Sequence, residues 1–346
     1  MKVVRFPQNP LITPADVPPT RPEFEVVCVF NAGVARYKDE IIMLLRVAEW
    51  ARSDERVARV PVLEAGEICV KEFSKEDRSM DFRDPRAIVT PKGVMLTSIS
   101  HLRVARSKDG INFTVDSKPA LVPDRPSEAY GLEDPRVTEI DGTYYIAYKS
   151  VAPNGICVSL ATTTDWQTYE KKGIIFAPEN LDVAIFPEKV DGRYVALHRP
   201  VPRMFGAPNM WVAYSPDLMS WGEHYFLMGI REDAWDSGRI GAGAVPIKTE
   251  RGWLEIYHGA TPDNYYHLGA LLLAPDEPHE IIARGAEPIL SPEEPYEKEG
   301  FVPNVCFTCG AIQEDDRLLI YYGGADTVMA GCEISISGLL DSLVIG

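Results

Sequence analysis

The chain has 346 residues, 45% of them hydrophobic, and its 35 Lys and Arg against 51 Asp and Glu give a formal net charge of −16 and a pI near 4.9. That apolar content fills a large core, and a field of that sign repels a polyanionic duplex, which argues against nucleic acid as a partner. No run of about 18 apolar residues marks a membrane span, and residues 1–5 run into Pro7 and Pro10 without the apolar stretch of a secretory signal, so the expected location is cytoplasmic.

Residues 9–24, "NPLITPADVPPTRPEF", read as an extended segment that wraps the surface. Beyond them, short β-branched and aromatic runs dominate, bounded by Gly, Pro, Asp and Asn. Examples are "TYYIAYKS", "GRYVALHRP", "GWLEIYHGA" and "RLLIYYGGAD". That pattern predicts an all-β protein built of hairpins.

Two series of repeats run in step. Asp84-Pro85, Asp134-Pro135, Phe186-Pro187 and Val245-Pro246 each open a strand and precede a turn glycine, at Gly93, Gly142, Gly192 and Gly252. A fifth counterpart, "CGAIQEDDRLLIYYGGAD", turns at Asp315-Asp316. In the second series Ser107-x-Asp109 leads to Phe113, Thr163-x-Asp165 to Tyr169, and Ser215-x-Asp217 to Trp221. An Asp that accepts backbone hydrogen bonds in a tight turn, with an aromatic packed behind it, accounts for that spacing. A period of roughly 50–60 residues holds four strands, so the expected fold is a five-bladed β-propeller. A β-sandwich would not predict two series in phase. The whole chain, 1–346, reads as one catalytic domain with an extended N-terminal segment, and the proline- and glutamate-rich stretch 287–303 as a crossing between blades. The cysteines, at 28, 69, 157, 306, 309 and 332, sit mostly in apolar surroundings and read as buried free thiols. Cys306-x-x-Cys309 has no second pair beside it, so no metal is expected.

Polar residues interrupt the apolar runs: Asn31, Arg46, Arg83, Asp84, Arg86, Glu133, Asp134, Arg136, Lys149, Asp182, His198, Arg199, Arg239, His258, Tyr266 and Asp326. In a propeller such residues meet at the central channel. Carboxylates among arginines there suit glycosidic cleavage, which needs an acid to protonate the leaving oxygen. Asp134, in Glu133-Asp134-Pro135-Arg136, fits that role, and Glu133 and burial are expected to raise its pKa. Asp84 stands in an echo of that motif, Arg83-Asp84-Pro85-Arg86. The two Asp-Pro-Arg copies look like braces between blades. A hydrolase also needs a carboxylate base, for which Glu232, Asp233 and Asp236 are candidates. A phosphorolytic enzyme needs donors for a dianion instead, and Arg199, Arg239 and His258 supply them.

The segments "GLEDPR", "DVAIFPEKVDGRYVALHRP", "GRIGAG" and "IYHGA" resemble glycoside hydrolase family 130, five-bladed propellers that include β-mannoside phosphorylases and some β-mannosidases. The resemblance runs from "VFNAGV" to "YYGGAD". It implies that Asp134 is the proton donor, acting through the 3-hydroxyl of the bound mannose, and that Arg199, Arg239, His258 and Tyr266 hold phosphate. It also implies that Asn31, Arg46 and Asp326 hold the mannosyl unit. Arg83, Asp84, Glu133 and Lys149 are expected on the substrate side with them. The activity implied is inverting phosphorolysis of a β-mannoside to α-mannose 1-phosphate, with inorganic phosphate as co-substrate and no metal or organic cofactor. One departure concerns residue 181: the family's phosphorylases place a cation before the aspartate of Asp-Val-Ala-Ile-Phe-Pro, and this chain has Leu181. Lys149 could substitute if it points inward. Hydrolysis on the same scaffold and a non-catalytic carbohydrate-binding propeller are the competing readings. Linkage, acceptor sugar and any homo-oligomeric state stay open; residues 200–210 are expected to form part of the acceptor wall.

Overall fold

The structure, a computed structural model, describes residues 3–343. It is all-β, with short α-helices at Pro295–Lys298 and Ile336–Ser342. The strands form successive antiparallel meanders. The first unit holds Phe24–Tyr37, Glu40–Ala51, Ser98–Ser107 and the short Thr114–Val115. The second holds Gly131–Ile140, Thr143–Ala152, Gly155–Thr163 and Glu170–Phe176, and a single parallel pair, Gly131 with Ser100, ties it to the first. The third runs Asn180–Ile185, Tyr194–Pro200, Met210–Ser215 and Gly222–Met228. In the fourth, Arg239–Ala242 and Ile247–Thr249 share one partner, Gly252–Ala260, followed by Tyr266–Leu273 and Ile281–Arg284. The fifth holds Cys306–Glu314, Arg317–Gly324 and Val328–Ser335. Its outer strand comes from the start of the chain, where Val4–Arg5 pairs with Val328–Ser335.

Each unit buries a face against the next. Leu44 and Val104 pack with Leu132 and Tyr148, Val158 with Val183, Phe186 with Trp253, and Leu254 with Tyr322. Met43 and Val34 of the first unit in turn pack with Tyr321 of the fifth. Arg5 locks the shared fifth sheet, because its Nε donates to the buried Glu297 Oε1 at 2.8 Å and Tyr322 donates to the same oxygen at 2.6 Å. The stretch 287–303 is therefore a crossing between the fourth and fifth units, pinned by a buried carboxylate.

The second repeat series is what its spacing predicts. Asp109 accepts from the amides of Ile111 and Asn112, Asp165 from Gln167 and Thr168, and Asp217 from Met219 and Ser220, all at 2.7–2.9 Å. Each turn joins the third and fourth strands of a unit. Phe113 then packs edge-on against Tyr321, and Trp221 stacks on Phe176.

The first series is corrected at Asp84-Pro85. Between the second and third strands of the first unit the chain inserts two hairpins, Val57–Glu64 with Glu67–Ser74 and Ala87–Thr90 with Gly93–Leu96. Arg83-Asp84-Pro85-Arg86 lies in this insertion, outside the repeated units. Asp84 Oδ1 accepts from the Arg86 amide at 2.9 Å and closes a local two-residue turn, whereas the oxygens of Asp134 in the later copy accept from Asn31, Arg46 and Lys149. Arg86 braces no sheets, whereas Arg136 does: its guanidinium donates to the carbonyls of Gly243 and Ala242 at 2.9 and 2.6 Å.

The equivalent positions are set by backbone geometry. The first strand of the first, second, third and fifth units carries a register shift, at Phe30/Gly33, Glu133/Arg136, Leu181/Ala184 and Thr308/Gly310. A bulge turns a side chain out of the alternating pattern and aims it elsewhere. In the first three, Asn31, Asp134 and Asp182 occupy the left-handed region with φ of 50°, 44° and 53°, a conformation Asn and Asp tolerate better than other side chains.

Candidate active site

These three bulge residues share one buried polar cluster. Asp134 Oδ1 accepts from Asn31 Nδ2 at 3.0 Å and Arg46 Nη1 at 3.1 Å, and Oδ2 accepts from Lys149 Nζ. Arg46 Nη2 donates to Glu133 Oε1 at 2.6 Å, while its guanidinium lies over the Phe30 ring. Lys149 pairs across the sheet with Glu133, so both point the same way. A Cβ at Gly323 would stand 2.4 Å from Asn31 Oδ1; the glycine of "YYGGAD" makes room for that amide.

Asp182 forms the second centre. Its Oδ2 accepts from Arg199 Nε at 2.7 Å and lies 3.4 Å from His258 Nε2. Its Oδ1 is 3.2 Å from Arg136 Nη2 and 3.7 Å from Lys149 Nζ. Lys149 therefore points inward and joins the two carboxylates. His258 is fully buried against Phe307, and its Nδ1 has no hydrogen-bond partner among the described residues. Arg239 donates to the Tyr266 hydroxyl and to Asn264 Oδ1, both at 2.9 Å, and the Tyr266 ring lies 6.2 Å from that of His258. A Cβ at Gly241, in "GRIGAG", would fall 2.5 Å from Asp182 Oδ2 and 2.6 Å from His258 Cε1.

Burial pushes the Asp134 carboxyl up, but Lys149 and Arg46 together outweigh it and hold it well below the usual carboxylate range. This corrects the expectation of a raised Asp134, which weighed the neighbour in sequence, Glu133, and not the cations in space. Asp182 is likewise held far down, with Arg199 and Lys149 outweighing burial. Burial brings His258 down to about 4 despite Asp182, so the ring is neutral near pH 7. Asp326 goes the other way: burial pushes it up to about 7, against the pull of Arg46, and Asp134 adds to the rise.

Of the residues expected from sequence, Asn31, Arg46, Glu133, Asp134 and Lys149 form one bonded group. Arg199 and His258 meet on Asp182, Arg239 and Tyr266 pair beside them, and Asp326 lies within electrostatic reach of Arg46 and Asp134. Arg83 and Asp84 are not in the cluster. They sit on the inserted loop, with the Arg83 side chain 90% exposed. His198 faces away: its Nδ1 meets Asn180, its Nε2 is 3.1 Å from His224, and its ring stacks on Phe176. Residues 201–209 link the strands that end at Pro200 and begin at Met210, with Met204 and Phe205 almost fully exposed. The candidate hydrolytic bases are elsewhere. Asp236 is locked by Arg231, Arg284 and Tyr257, and Glu232 and Asp233 are exposed. All six cysteines are free, and only Cys69 is not buried. Asp182, singled out in the sequence without a role, takes the central place; its signal is a lone carboxylate inside the apolar run "NLDVAIF".

An all-β scaffold that gathers a buried carboxylate and several donors suited to a dianion defines a carbohydrate-active enzyme of the phosphorylase type. The chain belongs to glycoside hydrolase family 130: the family model described as beta-1,4-mannooligosaccharide phosphorylase matches residues 92–344. A beta-1,2-mannobiose phosphorylase from Listeria innocua is 49% identical over 99% of both chains, and its structure in complex with beta-1,2-mannobiose superposes with a TM-score of 0.96 over 99% of each. A 1,2-beta-oligomannan phosphorylase from Thermoanaerobacter sp. is 44% identical over 67% of this chain and 77% of its own. A structure from work on family members that hydrolyse beta-1,2 mannosidic linkages in Candida mannan matches with a TM-score of 0.74 at 21% identity, covering 97% of this chain and 94% of that one; it shares the fold.

Proposed function

We propose that this protein is an inverting phosphorylase of short β-mannosides with a preference for the β-1,2 linkage, releasing α-mannose 1-phosphate and a shortened acceptor. The observation that carries this reading is the joining of two centres by Lys149: a carboxylate suited to proton transfer at Asp134, and the donors Arg199 and His258 gathered on Asp182. The full-length likeness to a beta-1,2-mannobiose phosphorylase supports the linkage. The cyclic packing of four-stranded units supports the five-bladed propeller as a single catalytic domain.

In this reading Asn31, Arg46, Glu133 and Asp326 hold the mannosyl ring. Arg199, Arg239, His258 and Tyr266 hold phosphate, and Lys149 makes up for the cation missing at Leu181. At rest Asp134 is ionised, because Lys149 and Arg46 favour its charged form. A phosphate dianion arriving beside Lys149 and Arg199 draws their charge away from Asp134 and raises its affinity for a proton. Asp134 takes that proton from solvent and passes it by way of the sugar's 3-hydroxyl to the leaving oxygen while phosphate attacks the anomeric carbon from the opposite face, and the proton left on the new phosphate ester returns to solvent. Inorganic phosphate is the only co-substrate the reading requires. A cytoplasmic location fits it, since the thiols are free and a charged sugar phosphate does not cross a membrane unaided.

Incubation with β-1,2- and β-1,4-mannobiose, with and without phosphate, tests the proposal. Mannose 1-phosphate should form only with phosphate and faster from the β-1,2 isomer. Free mannose forming at the same rate without phosphate would reject it in favour of hydrolysis.

A further inference from the structure

The paired hairpins inserted into the first unit find no use in the chemistry described so far, yet they reach the mouth of the site. Their loop Asp81–Arg86 faces residues 263–264 and 301–304 across a recess of about 640 Å³. That volume lies inside the roughly 300–1,000 Å³ typical of small-molecule sites. The far wall is stitched to the cluster. Asn264 accepts from Arg239, and the Asn304 carbonyl accepts from the Tyr266 amide at 3.0 Å. The amide of Phe301 donates to Thr327 Oγ1 at 2.7 Å and that of Val302 to the Ala325 carbonyl at 3.1 Å, on either side of Asp326. Arg86, on the near wall, is close enough for Asp326 and Tyr266 to act on its charge.

The near wall is built of two clamps in tandem. Arg83 Nε and Nη2 donate to Asp81, and Arg86 Nε and Nη2 donate to Asp84, at 2.5–3.0 Å. Each guanidinium is paired with its own carboxylate, so the wall competes little for phosphate, which meets Arg239 with only neutral partners. Its side chains offer both donors and acceptors. Nη1 of Arg86 has no hydrogen-bond partner among the described residues. Opposite stand Phe301, Val302 and Pro303, an apolar face. A polar edge against an apolar face is what a neutral polyhydroxylated ring requires, as hydroxyls bridge donor and acceptor while C–H faces pack. Because the family match begins at residue 92, the clamps lie outside it.

We infer that the inserted loop, through Asp84 and Arg86, forms the acceptor-side subsite, holding the sugar on the leaving side of the bond that is cleaved. This rests on the phosphorylase reading. The test is the reverse reaction, α-mannose 1-phosphate plus mannose as acceptor, on wild-type protein, Arg86→Ala and Asp84→Asn, with thermal unfolding checked for each. The expected result is a rise of about tenfold or more in acceptor KM, the loss of one hydrogen bond to a charged group, with the KM for mannose 1-phosphate within about twofold of wild type. Arg83→Ala, at an exposed side chain that does not bear on folding, is the second probe and should raise acceptor KM less. Unchanged acceptor KM in folded Arg86→Ala and Asp84→Asn, or equal rises in both KM values, overturns the inference. Failure of wild-type protein to use phosphate or mannose 1-phosphate at all would instead strike the parent reading.

Discussion

Asp134 and Asp182 are the same left-handed bulge residue in two neighbouring units, and Lys149 stands between them, bonded to Asp134 Oδ2 and 3.7 Å from Asp182 Oδ1. The repeated backbone distortion delivers two carboxylates to one place, and their partners divide the roles. Asp134 meets groups suited to a sugar; Asp182 collects cations from the second and third units and a histidine from the fourth. Asp182→Asn should therefore destabilise the fold, because it leaves Arg136 and Arg199 buried without their anion. Breaking a buried pair from one side costs about 3–5 kcal/mol. Chemical denaturation at pH 7 checks this, and a loss below about 1 kcal/mol would show that the cations find other partners. The depressed Asp182 pKa sets the sign with pH: its contribution is full above the usual carboxylate range and is lost as pH falls through its folded value, so variant and wild type should converge in acid.

Asp134→Asn keeps an oxygen for Asn31 or Arg46 but has no proton to give. Turnover with β-1,2-mannobiose and phosphate should fall by about two to four powers of ten, the usual scale for general acid catalysis. Initial rates of mannose 1-phosphate release measure it, and near wild-type turnover would remove Asp134 from the role of acid.

Arg199→Ala separates the two substrates. Arg199 is held by Asp182 through Nε and makes no bond to the Asp134 group. Loss of one charge-assisted contact, about 1.5–3 kcal/mol, should raise the phosphate KM by about 10–100-fold while the mannobiose KM stays within about twofold. Equal changes in both would mean that Arg199 supports the whole pocket and not the phosphate.

The all-β class and the turn series were legible in the sequence because they are local. Ser107-x-Asp109 closes its own turn, and an apolar run bounded by Gly or Pro forms a strand with little help. The site was legible where a polar residue interrupts such a run, as at Asp134, Arg199 and His258. What could not be read depends on partners distant in sequence. Val4–Arg5 is a strand only because Val328–Ser335 offers it an edge. Asn31 shares no letter with Asp134 and matches it only in the bulge. Asp84-Pro85-Arg86 shares every letter with the later motif and lies outside the repeated units. The direction of the Asp134 shift followed from Lys149 and Arg46, which the chain brings in from other strands.

Gly241→Ala tests how closely Asp182 and His258, on the proposed phosphate side, are packed. The new methyl would meet Asp182 Oδ2 at 2.5 Å and His258 at 2.6 Å, and neither side chain can yield without breaking the cluster. Overpacking of this kind costs about 1–3 kcal/mol. The variant should fold with a lowered Tm and lose phosphate affinity more than mannobiose affinity. Wild-type kinetics in Gly241→Ala would show that Asp182 and His258 have room to move.

Asp326→Asn should change the pH dependence of stability in a defined direction. Burial pushes Asp326 up to about 7, well above the roughly 3.9 of an unfolded chain. The folded state therefore holds this proton more tightly than the unfolded one. The contribution of Asp326 is full below about pH 4 and is lost as pH rises to about 7, beyond which a buried charge faces Asp134 and Glu133. Asn cannot ionise and suffers no such loss. The Tm of Asp326→Asn relative to wild type should rise across pH 4–7 and level off above it, measured without substrate or phosphate so that ligand binding does not contribute. A Tm difference that is flat over that window would mean that Asp326 is already ionised in the folded protein, with Arg46 and Lys149 compensating its charge as they do that of Asp134.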